Sequence, residues 1–293
     1  MKLLTPIAAA ILMTASGSLL AASNTAELNQ DGSNNTASVD QSGPGTIGNT
    51  VLQTQSGSSN NAVATQQYEV GSHIYQVQDG HLNDAYSLQT GGTNNVAAIT
   101  QYGVYNHANT MQSGTSGSEA RILQNGYSND ADIIQVLGAD NVAVIHQTGA
   151  MHGASIGQYT SYNSDAYIYQ DGEDNYANIV QSGIDHYGKI SQDGIYNHAY
   201  LEQSGQSNEA DITQSGFGND ANVMQTSWYN SAAINQDGYH NSADILQNGF
   251  GGGHLAIINQ AGALNEALII QNGYTETAII NQAGSNNTAT IVQ

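Results

Sequence analysis

Glutamine recurs through this 293-residue chain at spacings that no ordinary globular domain shows. It stands at Gln30, Gln41, Gln55, Gln66, Gln78, Gln89, Gln101, Gln112, Gln124, Gln135, Gln147 and Gln158. The series continues with Gln170, Gln181, Gln192, Gln203, Gln214, Gln225, Gln236, Gln247, Gln260, Gln271, Gln282 and Gln293. Between these positions runs the pattern Gln-x-Gly-x-x-Asn-x-Ala-x-Ile-x-Gln. A fixed period marks a repeat architecture, in which each unit buries its apolar face only by stacking on the next.

The intervals alternate. Counting from Gln30, every odd interval spans 11 residues, and the even ones run 14, 12, 12, 12, 12, 12, 11, 11, 11, 13 and 11. Length variation is therefore confined to one of two turns, and the unit is a rung of 22–23 residues. In the constant turns Gly always follows Gln by two, Ala always follows by seven, and Asn follows by five except at His152. In the variable turns Tyr68, Leu137, Thr160 and Ser227 replace the Gly. The first turn reads as demanding and the second as tolerant, with glycine supplying a positive φ at no steric cost.

Asn, Ala, Ile and Gln sit at every second residue, which is the period of a strand. The pattern predicts seven-residue strands such as 208–214, folded back at the constant turn and climbing at the variable one. The expected fold is all-β, a β-solenoid of about 12 two-strand rungs, roughly 58 Å tall at ~4.8 Å per rung. Ladder residues assigned to the constant turn are Gly126, Asn129, Ala131, Ile133 and Gln135, with Gly205, Asn208, Ala210, Ile212 and Gln214. Ala and Ile would form a dry centre. Asn and Gln would stack on their copies, because a buried amide is costly unless it is bonded. The Ile position holds Gln53, Ala64, Gln76, Ser87 and Thr110 in the N-terminal third, and only Ile, Leu or Val from Ile122 onward. That contrast predicts a looser first third.

Residues 1–22 read as a secretory signal peptide: Lys2, an apolar run over 7–15, then Ala21, Ala22 and Ser23. The run is too short to anchor in a bilayer, so 23–293 is expected to be a mature, exported repeat domain with no membrane span. Three Lys and Arg against 24 Asp and Glu argue against nucleic acid as a partner. Cysteine is absent, no nucleophile–base set or phosphate loop is present, and the nine histidines lack tight ligand spacing. No catalytic site, cofactor or metal is expected. The histidines read mostly as turn or outward residues.

The column would end on two open edges, residues 24–41 and 276–293, without the caps of soluble solenoids. The expected assembly residues are Asn24, Ala26, Leu28 and Gln30 at one end and Asn287, Ala289, Ile291 and Gln293 at the other. Such an interface is heterologous and grows open filaments. Asp132, Asp211, Asp220 and Asp244 read either as gatekeepers against premature aggregation or as an ordinary solvated face. The rival reading is a monomeric secreted solenoid that acts as an adhesin or binds polysaccharide, which would need capped ends.

The repeat resembles the curlin repeat of the curli fibre subunits of Gram-negative bacteria, over roughly residues 24–293. The resemblance implies a non-catalytic subunit of an extracellular, amyloid-like fibre at the cell surface, acting in adhesion and the biofilm matrix. Its implied partners are further copies of the chain, a nucleating subunit and an outer-membrane secretion channel. Two features depart from the family: the repeats are more numerous, and they begin at Asn24 with no Gly-rich leader. Residues 282–293 carry no basic residue, which leans towards the main fibre subunit rather than the nucleator.

Overall fold

A computed structural model describes residues 10–13, 23–249 and 251–293. These residues form 25 strands, numbered in chain order from β1 (Ala10–Met13) to β25 (Thr288–Val292). Odd-numbered strands make one 13-stranded sheet and even-numbered strands a 12-stranded one. Neighbours in both sheets are parallel, as in β18 (Glu209–Phe217), which lies between β16 (Tyr187–Ile195) and β20 (Ser231–Tyr239). Each rung thus gives one strand to each sheet, and the chain is the expected β-solenoid of about twelve rungs. Register places like on like, with Gln192, Gln214 and Gln236 in line. Most of the segment expected to be a signal peptide lies outside the described residues; β1, within it, runs along β3 (Thr36–Asp40).

The strands differ from expectation at both ends. The strand expected at 208–214 spans Glu209–Phe217, so Asn208 sits at the corner and the strand runs on past Gln214 and Gly216. It continues because the glycines stack backbone on backbone, Gly216 on Gly238. A Cβ on Gly126 would overlap the carbonyl oxygen of Gly149 in the next rung, and its φ is +140°. Glycine is therefore required twice over, for its backbone conformation and for close approach.

The tolerance expected of the variable turn has a different cause. In the five 12-residue turns two residues are left-handed, for example Tyr68 (φ 58°) with Gly71, and Leu137 (φ 55°) with Asp140 (φ 55°). This wider corner forms a third, narrow parallel ladder through Ile47, Val70, Thr93 and Ser116. Tyr68, Leu137 and Thr160 are thus left-handed residues in another turn, at positions where Gly91 and Gly114 serve in neighbouring rungs.

Inward Ala and Ile meet between the sheets and are almost all fully buried. One aliphatic cluster runs from Ala85 to Ile280, and a smaller one joins Val39, Val51, Ala64, Ile74 and Ala97. Each buried Ile contributes about 1.5–3 kcal/mol relative to exposure.

Candidate assembly surface: amide ladders and open edges

The repeat glutamines, other than the last in each sheet, donate along the column. In the even-numbered sheet Gln30 Nε2 donates to Gln55 Oε1, Gln55 to Gln78, and so on to Gln282, at 2.6–2.9 Å. In the odd-numbered sheet the series runs from Gln41 to Gln293 at 2.7–2.9 Å, stretching to 3.4 Å at the last step. The amide nitrogen also reaches a main-chain carbonyl across the interior, as Gln124 does to His107 at 2.8 Å. The side chain therefore ties both neighbouring rungs and the opposite strand, which a hydroxyl is too short to do.

Asparagine ladders at the corners run the other way. Asn83 donates its backbone N–H (3.1 Å) and its Nδ2 (3.2 Å) back to Asn60 Oδ1, and its Nδ2 also reaches Gly103 O in the next rung (2.9 Å). Where the variable turn is wide, asparagine alternates with serine: Ser72 N–H donates to Asn49 Oδ1, and Asn95 N–H to Ser72 Oγ. Fully buried Glu69 sits beside Ser72. Its carboxylate accepts from Ser72 Oγ (2.7 Å), the Gly92 N–H (2.8 Å) and Asn95 Nδ2 (3.4 Å). Burial pushes its carboxyl above the usual range, against the pull of those three donors.

Three of the nine histidines are exceptions to the mostly turn or outward placement expected of them. His152, His186 and His254 are buried at ladder positions. The His152 ring spans the Thr148 carbonyl at Nε2 (3.0 Å) and the Asn175 N–H at Nδ1 (3.3 Å), and His186 does the same with Ser182 and Asn208. Imidazole carries a donor and an acceptor on one edge and so replaces carboxamide, but only as the neutral Nε2–H tautomer. Burial lowers the pKa of both rings. His254 Nδ1 accepts from the Glu276 N–H at 3.2 Å.

Among the residues expected from sequence, Asn129, Ala131, Ile133 and Gln135 are buried at a constant corner with Gly126. The set Gly205, Asn208, Ala210, Ile212 and Gln214 is not at a constant turn. It joins β17 (His198–Gln206) to β18 and therefore climbs between rungs. The two corners are easily confused because an 11-residue variable turn takes constant-turn geometry, with Gly205 at φ 104° and a left-handed Ser207. The two edges also need pairing afresh. Ala26, Leu28 and Gln30 lie on β2 (Thr25–Ser33) with Asn24 just before it, in the even-numbered sheet, whereas Ala289 and Ile291 lie on β25 in the odd-numbered one. The sheet mate of β2 at the far end is β24 (Thr277–Ser285), and that of β25 is β3. Asn24, Ala26, Leu28 and Gln30 are half-buried, as are Asn287, Ala289 and Ile291, while Gln293 is exposed. Gln30 Oε1 is buried with no hydrogen-bond partner among the described residues.

A family model described as the curlin associated repeat matches residues 21–45, 115–149, 172–205, 183–216, 197–226, 230–262 and 265–293, together more than half of the chain. Comparison with curated proteins finds no match.

Proposed function

The chain belongs to the curlin-repeat family, and from that premise we propose that it is the structural subunit of an extracellular amyloid-like fibre, built by head-to-tail stacking of its own copies. The observation that carries this reading is the polarity of the ladders. Glutamine donors point towards the C-terminal end and leave the Gln30 acceptor at the other without a partner among the described residues. Asparagine donors point the opposite way, so at the C-terminal end the ladder leaves an acceptor, Asn287 Oδ1, facing outward. Placing the C-terminal edge of one copy on the N-terminal edge of the next joins Gln282 Nε2 to Gln30 Oε1 and the Asn35 N–H to Asn287 Oδ1. Head-to-head contact would set donor on donor. Translation alone completes the ladders, and translation grows filaments.

In this reading residues 1–22 are removed on export, which strips β1 from β3 and frees both strands of the first rung. Adhesion and the biofilm matrix are the roles of the finished fibre. The nucleating subunit and the outer-membrane channel are its family-implied partners. The described residues hold no helix long and apolar enough to cross a membrane.

The test is dilution of residues 23–293 from denaturant, followed by thioflavin T fluorescence and negative-stain microscopy. Unbranched fibrils after a lag, with the lag shortened by preformed seeds, are expected. A stable strand-rich monomer that ignores seeds would overturn the reading and favour the monomeric adhesin.

A further inference from the structure

The first and last rungs are nearly the same sequence. Residues 25–37 read TAELNQDGSNNTA and residues 277–289 read TAIINQAGSNNTA, identical at ten of thirteen positions. The last rung shares only nine with its own stacked neighbour, residues 255–267, and six positions match between the stacked segments 165–177 and 187–199. Core demands do not explain the likeness, because Thr25, Asn29, Ser33, Asn34 and Thr36 are all exposed, as are Thr277, Asn281, Ser285, Asn286 and Thr288. The hexapeptide Gly-Ser-Asn-Asn-Thr-Ala occurs at these two places and nowhere between.

One exposed column shows what such matching does. At the outward position before each even-sheet glutamine the residues run Asn29, Thr54, Val77, Thr100, Leu123, His146, Tyr169, Ser191, Thr213, Asn235, Asn259 and Asn281. Where asparagines are stacked they form a ladder on the outside of the column. Asn235 Nδ2 donates to Asn259 Oδ1 at 2.9 Å, and Asn259 Nδ2 to Asn281 Oδ1 at 2.8 Å. The series stops at Asn281, with its donors directed towards the C-terminal end, as in the glutamine ladders. At the other end Asn29 spends its Nδ2 on Glu27 Oε1 (2.9 Å), and its Oδ1 has no donor among the described residues. A surface groove lies beside Asn281, Gln282 and Ala283 at one end and beside Asn29, Gln30 and Asp31 at the other, so stacking makes the two continuous.

We propose that this matched exterior, with Asn281 donating to Asn29 of the next copy at its centre, sets the register of the copy-to-copy junction. The proposal rests on the head-to-tail reading above and adds the surface that selects one junction among many similar rungs. A repeat of near-identical rungs has a register problem: a second copy slipped along or across the edge still finds Gln and Ala. Identical exposed polar side chains stack well only in register, so Thr277 on Thr25, Asn281 on Asn29, Ser285 on Ser33 and Asn286 on Asn34 reward a single alignment.

The test is a double-mutant cycle in seeded elongation of residues 23–293, followed by thioflavin T at low salt, with N29D, N281D and the double variant each grown from its own seeds. Within one chain the two residues are eleven rungs apart, so coupling between them can arise only between copies. The expected result is that the double variant elongates at least about fivefold more slowly than the product of the single effects, the cost of two carboxylates stacked across the junction. The charge-reversed pair N29K with N281D should regain at least the N281D rate. Single effects that multiply without coupling, in chains that still form fibres, would overturn the junction while leaving head-to-tail growth intact. A wild-type chain that does not extend seeds overturns the head-to-tail reading, and this proposal with it.

Discussion

From Ile122 to Ile291 the inward Ile position is aliphatic in every rung, whereas between Gln53 and Thr110 it is largely polar. The polar stretch is nevertheless buried and connected. Gln53 donates to Gln76 Oε1 (2.7 Å), Gln76 Nε2 reaches Ser87 Oγ (3.0 Å) and Val63 O (2.9 Å), and Thr110 donates to Ser87 (2.9 Å). This seam separates the two aliphatic clusters, and it falls within residues 46–114, the longest stretch that the family model leaves unmatched. In-register stacking explains how one fold accommodates both. A polar side chain in one rung finds its partner in the next, so the backbone ladder need not change. The difference lies in what each region gains: aliphatic rungs gain burial, and polar rungs roughly recover what desolvation cost them.

The largest effect should come from breaking the aliphatic side. Ile190→Ala, between Ile168 and Ile212 in register, is expected to cost about 2–5 kcal/mol in denaturant unfolding. A cost below 1 kcal/mol would mean that the column does not depend on its apolar zipper. On the polar side Gln76→Ala should cost about 1–3 kcal/mol, because it removes the acceptor of the Gln53 amide and the amide donor to Ser87 Oγ in a buried site. Replacing Gln53 and Gln76 by Leu together with Ser87→Ala should be neutral or stabilising. If that triple variant is worse than Gln76→Ala alone, the seam is a source of stability and the comparison is reversed.

Acid should discriminate regions as well. The folded-state pKa of His152 and His186 is lowered by burial, so the unfolded chain takes up protons first. The stability held by these neutral rings is complete above about pH 6.5 and is lost as pH falls below it. Asp171 and Asp174 near His152, and Asp185 near His186, oppose the shift without cancelling it. Unfolding at pH 7 and pH 5 should therefore show a loss that the H152N/H186N variant removes. An undiminished loss in that variant would place acid sensitivity elsewhere. Glu69 has the opposite sign: its pKa is raised, so Glu69→Gln should stabilise near neutral pH, with the gain vanishing in acid. The smallest effect is expected at the wide corner. Leu137→Gly relieves a left-handed leucine and should gain about 1 kcal/mol or less by chemical denaturation. A net loss would show that the Leu137 side chain contributes more than the strain it imposes.

Rung length, in-register stacking and the amide ladders could be read from the glutamine spacing, because one residue every 11 or 12 positions fixes both strand pairing and facing. The role of each turn residue was less accessible. Gly126 and Gly91 look alike in sequence, yet one is needed for backbone contact with the next rung and the other for a left-handed corner. His152 stood in plain view at the asparagine position of a constant turn, whereas His186 and His254 were hidden because imidazole and carboxamide share donor–acceptor capacity but not a sequence class. Alternation counted from Gln30 places Gly205 to Gln214 at a variable turn, and their assignment to the constant one failed because an 11-residue variable turn carries the same residues and geometry. The matched ends were present in the sequence as Gly-Ser-Asn-Asn-Thr-Ala, but they gain meaning only once the fold makes residues 25–37 and 277–289 the two faces of one column.

Head-to-tail stacking is tested most directly by hydrogen exchange on residues 23–293 before and after assembly. If copies stack as described, amides of Thr25–Ser33 and Thr277–Ser285 gain protection on assembly, while those between Asp165 and Gln247 change little. Fibres in which both terminal strands exchange as fast as in the monomer would contradict the account, because their edges would still be open.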